Sequence, residues 1–110
     1  MQNGLYAVGF SGVSDFGGGV VSVADNSVNG GDAICFYQGR IEQGLGQMKL
    51  RLAVKKYNPN GATIFGNINE FTLDLTGDDK GNGNYEFKGA ISGQPQAVIV
   101  IHAKRVSHLI

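Results

Sequence analysis

At 110 residues with nine Lys plus Arg against nine Asp plus Glu, the chain fits one domain, 1–110, with a core of its own, and its zero net charge removes the attraction that drives nucleic-acid binding. A hydrophobic share of 42% with 18 Gly and 2 Pro excludes disordered and collagen-like classes, while the glycine excess suits turns, bulges and bent strands. The single cysteine, Cys35, excludes an intramolecular disulfide, and its apolar neighbours from Ala33 to Tyr37 point to a reduced, buried thiol.

Leu5 to Ser11 reads as a strand after Asn3-Gly4, and Gly17-Gly18-Gly19 reads as a loop or bulge leading into a second strand, Val20 to Ala24, that ends at Asp25-Asn26. Asn29-Gly30-Gly31-Asp32 is a turn signal, because Asn and Gly tolerate positive φ and the Asp32 side chain can cap turn N–H groups. Ala33 to Gln38 continues as strand, with a bend or bulge at Gly39, and the next turn holds Gly44 and Gly46. Met48 to Lys56 has the clearest period of two, with Met48, Leu50, Leu52 and Val54 on one face and Lys49, Arg51 and Lys55 on the other. Asn58-Pro59-Asn60-Gly61 turns the chain into a short extended segment, Ala62 to Phe65. Phe71, Leu73 and Leu75 then alternate in a strand that a turn at Asp78 to Gly83 joins to Tyr85 to Ile91. Ser92 to Pro95 connects to a last strand, Ala97 to Val106.

About eight strands and no sustained helical periodicity predict an all-β fold with at most one short helix, near Phe65 to Glu70. Sequential strands with tight connections favour an antiparallel up-and-down β-barrel, which removes exposed edges, over a sandwich. The amino-terminal residues have no basic region before an apolar stretch, and no apolar run is long enough to span a bilayer, so the expectation is a cytoplasmic protein without membrane or nucleic-acid partners.

Candidate chemistry is sparse. Asp78, Asp79, Asn82 and Asn84 miss the calcium-loop spacing, because Lys80 takes the third position and no Glu closes the loop. Gly17-Gly18-Gly19 lacks the Lys-Ser/Thr of a phosphate loop, and Gly9-Phe10-Ser11-Gly12-Val13 lacks the second Gly of a nucleophile elbow. Neither His102 nor His108 can be placed beside Cys35 as a base, and a lone His102 cannot build a zinc site. No catalytic residue, metal site or cofactor is therefore expected, and the chain is not read as an enzyme. Lys49, Arg51, Lys55 and Lys56 are expected to pair across strands with Glu70 and Asp74. Phe36, Tyr37, Phe71, Tyr85 and Phe87 are candidates to line the interior, and four of them, Tyr37, Phe71, Tyr85 and Phe87, are the expected contacts of any small apolar ligand there. In Ala97-Val98-Ile99-Val100-Ile101 both faces are apolar, although a barrel buries only one, so Val98, Ile99, Val100 and Ile101 mark the expected interface of a homodimer, with cover by the chain's own tail, Val106 to Ile110, as the alternative.

Gly4-Leu5-Tyr6 opening a strand that ends at Phe10, then Gly19-Val20-Val21, then Gly30-Gly31-Asp32 followed by Tyr37-Gln38-Gly39, resembles the GrlR-like family. The Gly30, Gly31, Asp32, Tyr37 and Gly39 spacing is the specific part and reads as a structural turn motif. The resemblance implies a lipocalin-like, calycin-like barrel, a negative regulator of bacterial type III secretion or a relative of one, able to dimerise. In the family's best-known member it implies direct contact with a transcriptional activator through an exposed acidic run. The corresponding loop here, Arg40 to Gln47, keeps one acid, Glu42, so the resemblance makes Glu42, Gln43, Gly44 and Leu45 the candidate partner loop without its charge. The expected function is a non-enzymatic regulatory or protein-binding barrel, with a carrier or sensor of a small apolar ligand as the alternative.

Overall fold

The computed structural model describes residues 1–12 and 16–110. Eight strands follow in chain order: β1 (Gly4–Ser11), β2 (Phe16–Ala24), β3 (Ser27–Gly31), β4 (Cys35–Gln43), β5 (Met48–Lys56), β6 (Glu70–Gly81), β7 (Asn84–Ile91) and β8 (Gln94–Ser107). Each pairs antiparallel with the next, and β8 returns to β1 from Leu5↔Ser107 to Ser11↔Val100, so the sheet closes into a barrel in sequence order. This is an all-β, closed, eight-stranded up-and-down barrel. No helix occurs among the described residues: 65–69 is irregular instead and Glu70 already belongs to β6.

The alternation expected of β5 is what places the core. Met48, Leu50, Leu52 and Val54 face inward beside Leu73, Leu75, Phe87, Ile91, Ile99 and Ile101, all buried. Burying each such side chain stabilises the fold by roughly 1.5–3 kcal/mol before conformational entropy is subtracted. On the outer face of the same strands Arg51 meets Asp74 at 3.0 Å and Lys55 meets Glu70 at 3.7 Å, as the sequence pattern anticipates. The Arg51 hydrogen bond holds the Asp74 carboxyl below its ordinary range. Both pairs are solvent-exposed, so they fix register more than they stabilise.

Two hairpins use residues that tolerate a left-handed backbone. Asp25 and Asn26, with φ of 49° and 66°, join β2 to β3, and Asn82 and Gly83, with φ of 56° and 78°, join β6 to β7. Positive φ at both central positions matches the right-handed twist of the flanking strands. The second hairpin is tighter than the sequence suggests, because β6 runs on through Asp78 and Asp79 to Gly81. Likewise Gln94 and Pro95 already belong to β8.

The glycines overturn three sequence readings. Gly17, Gly18 and Gly19 are not a loop but part of β2, and Gly30 and Gly31 are not a turn but part of β3, with no positive φ. The reason is space. A Cβ on Gly17 would stand 2.7 Å from the Phe10 ring, and one on Gly19 would stand 2.6 Å from the Gly31 carbonyl oxygen. A Cβ on Gly30 would collide with the Val20 carbonyl oxygen and lie 2.5 Å from Val21 Cα. Gly39 is not a bulge either, since it sits in regular register opposite Leu52 with the Arg51 carbonyl where a Cβ would be. Ala62 to Phe65 is not a strand: it lies in the long β5–β6 connection, where a single bridge joins Thr63 and Gly66.

At the end of the barrel that carries the amino terminus, Tyr6 is fully buried and its hydroxyl donates to the Gln2 carbonyl at 2.6 Å, while its ring meets Tyr85 edge-on at 5.8 Å. Burial, reinforced by Tyr85, pushes the Tyr6 hydroxyl up from 10.0 to about 12. The neutral phenol is thus favoured by folding, so its contribution is complete below pH 10 and is lost as pH rises through about 12. We expect the melting temperature to fall steeply over that interval and Tyr6→Phe to flatten the fall. A Tyr6→Phe variant with an unchanged alkaline profile would contradict this assignment.

Candidate functional site

The opposite end of the barrel is built around one short turn. β3 ends at Gly31, and Asp32-Ala33-Ile34 carries the chain into β4. The Asp32 N–H donates to the Cys35 carbonyl at 2.9 Å, and Asp32 Oδ1 accepts the N–H groups of Ile34 at 2.8 Å and Cys35 at 2.7 Å. Asp32 Oδ2 accepts the hydroxyl of Tyr37. Burial first, then the bond to Asp32, raises the Tyr37 hydroxyl far above the ordinary phenol range, so it stays a donor. This is how Asp32 and Tyr37, five positions apart, act as a unit: the carboxylate caps the turn and anchors the ring. Gly19 leaves the room that the Tyr37 hydroxyl occupies, since a Cβ there would be 3.0 Å from it.

The β5–β6 connection, 57–69, is fastened over this turn. The Tyr57 hydroxyl donates to the Asp32 carbonyl at 2.5 Å, and the N–H groups of Tyr57 and Asn58 donate to the Ile34 carbonyl at 2.9 and 3.2 Å. Thr63, the one buried polar side chain among the described residues, donates through Oγ1 to the Ile68 carbonyl at 2.8 Å and accepts from the Phe65 N–H. The connection also supplies Ala62, Thr63 and Ile64 to the lining of an interior cavity of about 320 Å³. Val8, Phe10, Tyr37, Leu52, Phe71 and Ile99 form much of its apolar wall, and Asp32 has the one charged side chain on it among the described residues.

Of the aromatic residues expected inside, Tyr37, Phe71 and Phe87 line the cavity. Tyr85 does not. It faces inward but at the far end, edge-on against Tyr6, where its hydroxyl accepts the Gln2 N–H at 3.4 Å. Phe36 points outward and is partly exposed. Sequence reasoning missed Phe10 and the lid residues, because an irregular connection carries no periodicity to reveal what it covers.

Cys35 lies buried beside the turn, and burial, with Asp32 next, pushes its thiol up, away from the nucleophilic thiolate. His102 is on the outer face of β8, 3.6 Å from Glu86. Among the described residues no three His, Cys, Asp or Glu are grouped to hold a metal ion. Val13, in the fragment resembling a nucleophile elbow, lies outside the described residues.

The expected dimer strand divides as its alternation requires. Ile99 and Ile101 point into the core, 3% and 8% exposed, so they are corrected from interface to interior. Val98, 47% exposed, and Val100 point outward. They border a wall without charge: no residue of β1, β2 or β3 is Asp, Glu, Lys or Arg. Register sets Phe36, Gly31, Val20 and Ala7 in one outward row, and Ser11 beside Val100 in another, with Gly9 and Gly18 between them keeping the surface flat. Val20 is 53% exposed. The candidate partner loop is elsewhere: Glu42 and Gln43 end β4, with Glu42 opposite Lys49, and Gly44 and Leu45 form the turn that follows, Leu45 fully exposed.

The family model described as T3SS negative regulator, GrlR, matches residues 1–109. The chain belongs to the GrlR family. No curated protein matches it. The family is one of negative regulators of type III secretion, and the closed barrel agrees with the lipocalin-like fold expected of a GrlR member. In this GrlR chain the two ends of the barrel differ: one is plugged by Tyr6 and Tyr85, the other holds a lidded cavity. Among the described residues no helix is long and apolar enough to cross a membrane.

Proposed function

We propose that this chain is a non-enzymatic, cytoplasmic regulator that restrains a transcriptional activator by direct contact, and that it docks through the uncharged wall of β1, β2 and β3. Membership of the GrlR family supports the regulatory class. The observation that carries the choice of surface is the wall itself: three adjacent strands free of charged side chains, bordered by Val98 and Val100, beside strands whose outer faces carry Lys49, Arg51, Asp74, Glu86 and Lys88. Exposed apolar surface of this kind marks contact sites. The β4–β5 loop is the weaker candidate, because its only acid, Glu42, already faces Lys49.

A homodimer of this chain would use the same wall, with Val98 and Val100 but not Ile99 and Ile101 at its seam. A stable pair would bury about 1,200 Å² or more in total. Sedimentation of the wild type against Val20→Glu and Val98→Glu tests this, together with affinity capture of the activator from the native host. We expect both variants to lose self-association and to retain the melting temperature within a few degrees. Capture of the activator that survives both substitutions would move the contact off the wall.

A second reading, a carrier or sensor of a small apolar ligand, is favoured by one observation, the lidded cavity of about 320 Å³. Cavities of roughly 300 Å³ and above are of ligand-binding size.

A further inference from the structure

We infer that the cavity selects a small apolar molecule whose polar head is a hydrogen-bond donor, a hydroxyl or an ammonium, and rejects carboxylates; the inference rests on the carrier reading. The volume sets the size. About 320 Å³ is roughly twice the ~150 Å³ engineered cavity that accepts benzene, which corresponds to a ligand of about a dozen heavy atoms. The lining sets the body: Val8, Phe10, Leu52, Phe71, Ile99 and their neighbours offer only apolar contact.

The head is decided by counting donors and acceptors at the mouth. Four side chains with polar atoms reach the lining: Asp32, Tyr37, Thr63 and Cys35, whose thiol is only a weak donor. Asp32 carries three hydrogen bonds, from the Ile34 N–H, the Cys35 N–H and the Tyr37 hydroxyl. A carboxylate has about four acceptor positions, so it keeps capacity for another donor. Tyr37 has committed its only proton to Asp32, and Thr63 has committed its own to the Ile68 carbonyl. Both retain oxygen lone pairs and neither has a proton to give. No Lys, Arg or His lines the cavity among the described residues, and the ammonium of Met1, which also borders it, donates to Asn26 Oδ1 at 3.3 Å. A ligand head therefore meets acceptors and one negative charge. A hydroxyl or ammonium pairs there. A carboxylate finds no side-chain donor stronger than the Cys35 thiol and is repelled by Asp32, and an ionised group left so poorly paired in an apolar site is strongly disfavoured.

A matched series with one chain length isolates the head: 1-decanol, decylammonium and decanoate, each titrated below its aggregation limit into the full chain while methyl signals of Val8, Ile99 and Ile101 are followed. Decylammonium and decanol should shift those methyls, and decanoate should bind at least about tenfold more weakly than decylammonium, the fold-change for losing one hydrogen bond to a charged group. Asp32→Asn keeps the Oδ1 acceptor that caps the turn and exchanges the charge for an amide donor, so it should narrow or reverse the preference. Equal binding of all three heads would overturn the donor rule while leaving the carrier reading intact. No binding by any of them, or shifts confined to Val20 and Val98 on the outer wall, would overturn both.

Discussion

Replacing Gly30 and Gly31 together by Val should cost about 2–6 kcal/mol, since overpacking typically costs 1–3 kcal/mol per site. A fold of this size has a stability of only about 5–15 kcal/mol, so the double variant should melt far below the wild type or fail to fold at physiological temperature. The cause is contact with backbone, which cannot swing aside as a side chain can. A Cβ on Gly30 meets the Val20 carbonyl and Val21 Cα, and one on Gly31 meets the Cys35 carbonyl at 2.6 Å. β3 is held between β2 and β4 at these positions, by Val21↔Gly30 and Gly30↔Tyr37, so it can retreat from neither neighbour. Gly9 provides the internal control. It lies in β1 with nothing nearer than 4.0 Å to an added Cβ, and Gly9→Ala should stay within about 0.5 kcal/mol of the wild type. Chemical denaturation of the two variants separates crowding from generic glycine loss. Equal effects would mean that close approach is not what keeps glycine in β3.

Asp32→Ala should be the most damaging single substitution outside the hydrophobic interior, at about 2–4 kcal/mol. It strands the N–H groups of Ile34 and Cys35 and the Tyr37 hydroxyl at once, and a buried polar group left without a partner costs about 1–3 kcal/mol. Asp32→Asn, which keeps an acceptor for the two N–H groups, should lose about half as much. Tyr37→Phe removes the donor and its need together, so it should be milder than Asp32→Ala. Denaturant midpoints of the three variants give the order directly, and an Asp32→Ala protein as stable as Tyr37→Phe would show that the carboxylate does not cap the turn.

Much of the barrel was legible in the sequence because β5, β6 and β7 bury one face only, and Leu50, Leu52, Leu73, Leu75 and Phe87 write that face as a period of two. β3 was not legible. Val28-Asn29-Gly30-Gly31 has the composition of a turn, and what makes it a strand is the proximity of β2 and β4, a fact of tertiary packing. The count of eight came out the same only because Ala62 to Phe65, read as extended, became the lid while β3 took its place. At the site, Asp32 was read as the cap of a turn at 29–32, whereas it caps the turn that follows β3, through the Ile34 and Cys35 N–H groups. Its bond to Tyr37 and its position on the cavity wall could not be read, since both depend on where β4 and the β5–β6 connection come to rest. Tyr85 was misplaced for a related reason: alternation tells inward from outward but says nothing about depth along the barrel axis.

The pairing of β1 with β8 differs from every other ladder in how it must be assembled. Seven ladders join strands that are consecutive in the chain, while this one brings Leu5 to Ser107. Loop-closure entropy and the late arrival of distant contacts make it the natural last step of folding. Until it forms, the molecule is a curled meander with two raw edges, and one of them is β1, whose residues Gly4 to Ser11 include no charged side chain. Native sheets commonly protect an edge with lysine or proline, and β1 has neither. Its protection is the closure itself, so high protein concentration during refolding, which speeds pairing between chains but not closure within one, favours capture of this strand by another copy of the chain.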